Sequence, residues 1–112
     1  MRERRKYVRF PLITNVTYKK TEEPASECGC VSRNISGEGI NLYIDKRLKP
    51  GEKMELSFIL PLDPIPILVE GAVVWTRERG EKGIETGIQF TQINEQDRER
   101  IIRYIQRCLT WD

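Results

Sequence analysis

Apolar residues alternate with polar ones in four stretches of the chain, which is the period expected of strands with one face on a core. A fifth stretch, residues 67–76, is more evenly apolar and is predicted to be a more buried strand. The apolar positions that define the four alternating stretches are Phe10, Leu12, Val16 and Tyr18; Ile40, Leu42 and Ile44; Met54, Leu56, Phe58 and Leu60; and Ile84, Ile88 and Phe90.

Turn-forming residues separate these stretches. Pro50-Gly51 predicts a hairpin turn, residues 61–66 contain three prolines and predict a stiff connection, and residues 79–83 predict a polar turn. Residues 21–27 are interpreted as a further loop. With another run at residues 28–35, the pattern predicts about six strands joined by short connections, which is typical of an antiparallel barrel or sandwich.

The period changes near the C-terminus, where the pattern predicts one helix over residues 94–110. Asn94 is a suitable N-cap, and Asp97 three residues later is a weak capping-box partner. A stripe of apolar residues at helical spacing is expected to pack on the barrel, with binding of a partner protein as the alternative. The stripe consists of Ile101, Ile102, Ile105, Cys108 and Leu109.

Length and composition are those of one folded domain. The chain has 112 residues, 32% of them charged and 38% hydrophobic. We divide residues 1–112 into a basic arm (1–9), a β-barrel (10–92) and a C-terminal helix (94–110). No uncharged run is long enough to span a bilayer, and no apolar segment follows the first residues as in a signal peptide. We therefore expect a cytoplasmic protein without membrane insertion.

Several kinds of chemistry are disfavoured. The chain has no histidine, which removes most zinc sites and the Ser–His and Cys–His nucleophile pairs. Its three cysteines are interpreted as free thiols. Glu70, Glu78 and Glu85 are scattered among strands and are interpreted as solvated. Trp75 is interpreted as a residue of the core or barrel rim. We expect no catalytic residues, no metal and no cofactor, and hence not an enzyme.

Charge is concentrated at the N-terminus. Residues 1–10 contain five basic side chains and a single acidic one, whereas the other residues contain fourteen basic and sixteen acidic side chains. A short basic arm therefore precedes a slightly acidic domain, and such an arm is suited to binding an anion.

Two short motifs stand out. The arm contains Arg5-Lys6-Tyr7-Val8-Arg9, directly preceded by Arg4, and Asn34-Ile35-Ser36-Gly37-Glu38-Gly39 precedes the strand that starts at Ile40. Each motif has a plainer interpretation: a solvated basic tail for the first, and a strand-to-strand turn for the second.

In this order and context, the two motifs resemble those of the PilZ domain, a receptor for the bacterial second messenger cyclic di-GMP. The resemblance extends from Arg4 to the helix near Leu109. The segments Val73-Val74-Trp75 and Gly87-Ile88-Gln89-Phe90 also look like later barrel strands of that family. It implies a mainly β fold, a six-stranded antiparallel barrel with one C-terminal helix. It also implies a non-enzymatic function in second-messenger signalling.

The resemblance implies a site for cyclic di-GMP that consists of Arg4, Arg5, Arg9, Asn34, Ser36 and Gly39. A guanidinium can form two parallel hydrogen bonds with a phosphate or with guanine O6 and N7, and can stack on a purine. Asn34 offers an acceptor for guanine N–H groups, Ser36 offers a hydroxyl donor, and Gly39 permits close approach to the backbone. Arg4 corresponds to a family position associated with two stacked ligand molecules, so we expect two per chain.

Two residues depart from the family pattern. Asn34 replaces the more familiar aspartate and keeps an acceptor, whereas Glu38 stands where many members have glycine. A carboxylate is unfavourable near a dianionic ligand unless it points away or pairs with an arginine, so Glu38 puts affinity in question.

The leading hypothesis is therefore a cyclic di-GMP receptor whose arm becomes ordered on binding and passes the signal to a downstream protein partner. The first alternative is a PilZ-like protein-interaction module that does not bind the nucleotide, which the intact arginines disfavour. The second is a small barrel that binds RNA or single-stranded DNA, which the slightly acidic body disfavours, so we expect no nucleic-acid polymer as partner. The family serves motility, pili, exopolysaccharide synthesis and virulence, and the sequence does not select among them.

Overall fold

Six long strands form a closed antiparallel barrel in the computed structural model, which describes residues 7–110. Their order around the barrel is β3-β2-β5-β6-β7-β4, and pairing of β4 with β3 closes it. The predicted fold class, a six-stranded antiparallel barrel with one C-terminal helix, is confirmed. The strands are β2 (Asn15–Lys20), β3 (Glu23–Ser36), β4 (Gly39–Ile44), β5 (Lys53–Phe58), β6 (Ile67–Glu78) and β7 (Ile84–Gln92).

Three shorter or separate elements complete the fold. Strand β1 (Phe10–Pro11) pairs with the end of β3, so that Ile35 lies between Phe10 of β1 and Ile40 of β4. A 3-10 turn (Gly80–Lys82) joins β6 to β7. Helix α1 (Glu95–Thr110) follows β7 directly. The short strand β1 matters for the site because it fixes the position of the residues just before it.

The alternating positions predicted from the sequence face the interior of the barrel. Leu42, Met54 and Val16 are fully buried, and Phe58 and Tyr18 are 2% exposed. The helix adds Ile101 and Ile105 to the same core, and the Phe10 and Tyr104 rings pack edge to face with centroids 6.3 Å apart. Burial of these side chains is what holds α1 against the barrel.

The helix begins where the sequence predicts. The backbone N–H of Gln96 donates to Asn94 Oδ1 at 2.8 Å, so Asn94 is the N-cap. Asp97 accepts a hydrogen bond from Arg100 at 2.8 Å. The apolar stripe is narrower than predicted, because Leu109 remains 56% exposed. Within residues 7–110, no helix combines the length and apolar character that crossing a membrane requires.

Two connections differ from the sequence-based expectation. Residues 23–27 belong to β3 rather than to a loop, because β2 pairs with this polar segment and Ser26 Oγ accepts from the Lys20 N–H where the register shifts. Pro50-Gly51 forms a turn but not a hairpin. Strand β4 pairs with β3 and β7, whereas β5 pairs with β2 and β6. Barrel closure separates these two strands although they are consecutive in the chain.

Candidate functional site

The Asn-x-Ser-x-x-Gly motif forms the tight turn between β3 and β4. Ser36 pairs with Gly39 across a two-residue connection, and Ser36 Oγ accepts a hydrogen bond from the Glu38 N–H at 3.2 Å. Ser36 is fully buried, whereas Asn34 is half-buried. The hydroxyl of Ser36 therefore stabilises the turn, and the Asn34 side chain is the more accessible of the two.

Arg9 brings the arm to this turn. Its Nη1 donates to Asn34 Oδ1 at 3.2 Å and to Asn41 Oδ1 at 3.3 Å. The two motifs, 25 residues apart in sequence, thus meet through a direct side-chain hydrogen bond. Pairing of β1 with the end of β3 places Arg9 there. Arg4 and Arg5 lie outside the described residues.

Behind Arg9 lies a charged network that the sequence did not suggest. Asn41 is 5% exposed, and its Nδ2 donates to Glu85 Oε2 at 3.4 Å. Glu85 also accepts hydrogen bonds from Arg33 and Arg79, each at 2.7 Å. The interpretation of Glu85 as a solvated residue is wrong, since it is only 1% exposed.

Three strands and a turn assemble this network, which is why no spacing in the sequence reveals it. Arg33 lies on β3, Asn41 on β4 and Glu85 on β7, and Arg79 follows β6. Burial raises the pKa of the Glu85 carboxyl, but hydrogen bonds from Arg33 and Arg79 and their charges outweigh that effect and leave the pKa lowered. Glu85 is therefore an anion that holds Asn41 with its carbonyl oxygen towards Arg9.

A cavity of about 180 Å³ opens next to Arg9 on the outer wall of the barrel. The indole of Trp75 lies directly on Gly87, where an added Cβ would come within 2.5 Å of two indole atoms. Gly39 approaches the neighbouring strand just as closely, since a Cβ there would lie 2.5 Å from the Ile88 carbonyl oxygen. Trp75 is half-buried and forms part of this wall. The residues lining the cavity are Arg9, Glu38, Gly39, Val74, Trp75, Gly87, Ile88 and Gln89.

Tyr7 links the arm to both the turn and the helix. The guanidinium of Arg98 lies 5.6 Å from the centroid of the Tyr7 ring. A Cβ at Gly37 would lie 2.9 Å from Tyr7 Cδ1 and 3.2 Å from Ile102 Cγ1. The ring therefore packs where the motif turn and α1 meet, and it stands between Arg5 and Arg9 in the sequence.

The cysteines and the larger surface grooves lie apart from the cavity beside Arg9. The three cysteines are free, and burial raises the pKa of the Cys30 thiol to about 12. Two larger grooves, of about 560 and 440 Å³, contain none of the predicted site residues that lie within residues 7–110. Of those predicted residues, the structure joins Arg9 to Asn34, places Gly39 with Arg9 in the cavity wall and buries Ser36 in the turn.

Solved structures with the same architecture are numerous. Inhibitor of motility (MotI/DgrA) of Bacillus subtilis matches with a TM-score of 0.83 and 25% sequence identity, over 96% of this chain and 52% of that one. The PilZ domain with c-di-GMP of YcgR from Escherichia coli has a TM-score of 0.70 at 16% identity, over 94% and 93% of the two chains. The K. pneumonia MrkH–c-di-GMP complex has a TM-score of 0.74 at 16% identity, over 96% and 52%.

The chain therefore spans about half the length of MotI/DgrA and of MrkH. Comparison with curated proteins finds no match. The sequence matches the PilZ domain family over residues 3–107, nearly its whole length. With the barrel, the terminal helix and the meeting of the two motifs, this match establishes that the chain belongs to the PilZ domain family.

Proposed function

We propose that the chain is a non-enzymatic receptor for cyclic di-GMP and that the ligand binds on the outer wall of the barrel beside Arg9. The observation that carries this proposal is the hydrogen bond between Arg9 and Asn34 in a PilZ domain. It joins the basic arm to the half-buried amide of Asn34, next to the motif turn. The c-di-GMP complexes of the YcgR and MrkH relatives support the choice of ligand.

Each proposed site residue has a distinct task. Arg4, Arg5 and Arg9 supply guanidinium groups for the phosphates and for guanine O6 and N7. Asn34 supplies an acceptor beside Arg9. Ser36 acts through the turn that its hydroxyl stabilises, and Gly39 keeps the cavity wall free of a side chain.

Tyr7 offers a route from the ligand to a partner protein. Its ring contacts Arg98 and lies against Gly37, close to Ile102. A ligand held by Arg5 and Arg9, on either side of Tyr7, therefore acts on a residue that already touches α1. We expect the ligand to order the arm over residues 4–9, in which Arg9 and Tyr7 already contact the barrel and the motif turn.

The second candidate is a protein-interaction module that does not bind the nucleotide. One observation favours it: Arg9 donates to two neutral side chains of the fold itself, Asn34 and Asn41, as a purely structural arginine would do. In the receptor, Arg9 would exchange these neutral acceptors for a charged group of the ligand, and in the interaction module it would keep them. Charge-assisted hydrogen bonds are stronger than neutral ones, which favours the exchange.

Calorimetric titration with cyclic di-GMP, with GTP and a short oligonucleotide as controls, tests the proposal. We expect saturable binding of cyclic di-GMP alone. Hydrogen exchange should then show greater protection of residues 4–9 and of the Arg98–Ile102 turn of α1 in the complex. Failure to bind cyclic di-GMP would leave the interaction module as the function, and binding of the oligonucleotide would favour a nucleic-acid partner.

A further inference from the structure

Glu38 contributes a carboxylate to the wall of the candidate site. It is half-buried in the turn between β3 and β4 and lines the 180 Å³ cavity together with Arg9. Its backbone is engaged, since its N–H donates to Ser36 Oγ and its carbonyl accepts from the Phe90 N–H at 2.8 Å. Among residues 7–110, no side chain forms a hydrogen bond or ion pair with the Glu38 carboxylate.

The shape of the cavity suits one planar base. Sites that enclose a whole small-molecule ligand measure roughly 300–1,000 Å³, so a cavity of about 180 Å³ takes only part of a large ligand. Gly39 and Gly87 contribute no side chains to its wall, and Trp75 contributes a flat indole. These walls favour a flat aromatic group over a phosphate.

The two charged groups in the cavity match two edges of guanine. A carboxylate accepts two hydrogen bonds and donates none, and the Watson–Crick edge of guanine presents the N1–H and N2–H groups side by side. Adenine presents an acceptor, N1, at the corresponding position. The adjacent guanine edge carries the O6 and N7 acceptors that an arginine such as Arg9 binds.

We infer that this cavity is a guanine subsite in which Glu38 accepts hydrogen bonds from N1–H and N2–H, and that Glu38 determines specificity for guanine over adenine. The inference rests on the proposed function and gives Glu38 a favourable role. A carboxylate that only repelled the ligand phosphates would have the opposite effect on affinity, so the sign of one substitution separates the two roles.

The test is calorimetric titration of the parent and of Glu38→Gln with cyclic di-GMP and with cyclic di-AMP. The glutamine side chain keeps one acceptor and turns a donor towards a guanine N–H. We expect at least a tenfold weaker affinity for cyclic di-GMP and no loss of affinity for cyclic di-AMP, so that the preference for guanine falls. Glu22→Gln, which removes the same charge from an exposed turn, controls for net charge and should leave both affinities unchanged.

Equal or tighter binding of cyclic di-GMP by Glu38→Gln, with an unchanged melting temperature, would overturn the inference and leave the proposed function intact. If Glu38→Gln lowers the melting temperature, Glu38→Asp is tested in its place, because aspartate shortens the side chain but keeps the carboxylate. That variant should retain the preference for guanine, and loss of the preference would also overturn the inference. A parent protein that does not bind cyclic di-GMP would overturn the proposed function itself.

Discussion

Arg9 is the described residue with the most direct part in the proposed binding. Its guanidinium donates to two neutral acceptors, Asn34 on β3 and Asn41 on β4. A ligand phosphate or guanine edge would replace neutral acceptors by a stronger, charge-assisted contact.

Arg9→Ala should weaken binding of cyclic di-GMP by more than tenfold. Loss of a charge-assisted hydrogen bond costs about 1.5–3 kcal/mol, and about 1.4 kcal/mol corresponds to a factor of ten. Calorimetry measures the change, with Arg103→Ala as the matched control because that arginine is exposed on α1. If the two variants bind equally well, Arg9 belongs to the fold and not to the site.

Glu85, in the network behind Arg9, makes the free energy of unfolding depend on pH. Its folded-state pKa lies below the ordinary 4.5, so its contribution to the free energy of unfolding is complete above pH 4.5 and is lost as the pH falls through the folded-state value. Glu85→Gln should reduce the free energy of unfolding by about 1–3 kcal/mol at pH 7. The variant should also lose less stability than the parent as the pH falls below 4.5.

Urea denaturation at several pH values measures both effects. Glu22→Gln serves as the control, because this exposed residue is outside the network and its substitution should leave the parent's pH dependence in place. Parallel pH profiles for the parent and Glu85→Gln would mean that Glu85 does not titrate with a lowered pKa.

At the scale of elements, close approach of β4 and β7 shapes the wall of the cavity. Gly39 lies opposite Gln89 in this pair, and the space for a Cβ is already taken by the backbone oxygen of Ile88. From the sequence, we expect glycine at position 39 because it lets a ligand approach the backbone. The structure adds a second reason, which holds without any ligand: only glycine fits between the strands.

Gly39→Ala should reduce the free energy of unfolding by about 1–3 kcal/mol, because backbone atoms must move to admit the methyl group. Gly29→Ala is the matched control in a neighbouring strand, where an added Cβ meets nothing within 4 Å. That variant should keep or raise stability, since alanine lowers the entropy of the unfolded chain. Equal melting temperatures for the two variants would contradict the close approach of β4 and β7.

Element prediction from the sequence worked where a pattern was strong and local. The period of two found the strands that contain Leu42, Met54 and Phe58, and the cap at Asn94 found the start of the helix. It failed at residues 23–27, whose polar side chains do not reveal pairing with β2. It also failed at Pro50-Gly51, because turn chemistry does not say which strands will be neighbours.

At the scale of the whole molecule, the three arginines of the arm motif bear on how many cyclic di-GMP molecules the chain would bind. Arg4, Arg5 and Arg9 together offer three guanidinium groups, and two stacked cyclic di-GMP molecules carry four phosphate charges. We expect two ligands per chain, because a third arginine offsets part of this repulsion and stacks on a guanine face.

Arg4→Leu should shift the endpoint of the titration from two ligands towards one while leaving the melting temperature unchanged. Native mass spectrometry at saturating ligand counts the bound molecules directly, with Arg2→Leu as the control for loss of one arm charge. A parent protein that binds one ligand at saturation would place Arg4 in a solvated tail.

The sequence by itself determined the fold class, the family and the identity of the two motifs, because each is written in local periodicity or in a short spacing. Only the tertiary structure decided where the side chains of those motifs lie and what they contact. It joined Arg9 to Asn34, buried Ser36 in the turn, and gathered Asn41, Glu85, Arg33 and Arg79 from separate strands. The physical reason is that burial and hydrogen-bond partners depend on which strands the closed barrel makes neighbours, and residues far apart in the chain meet only then.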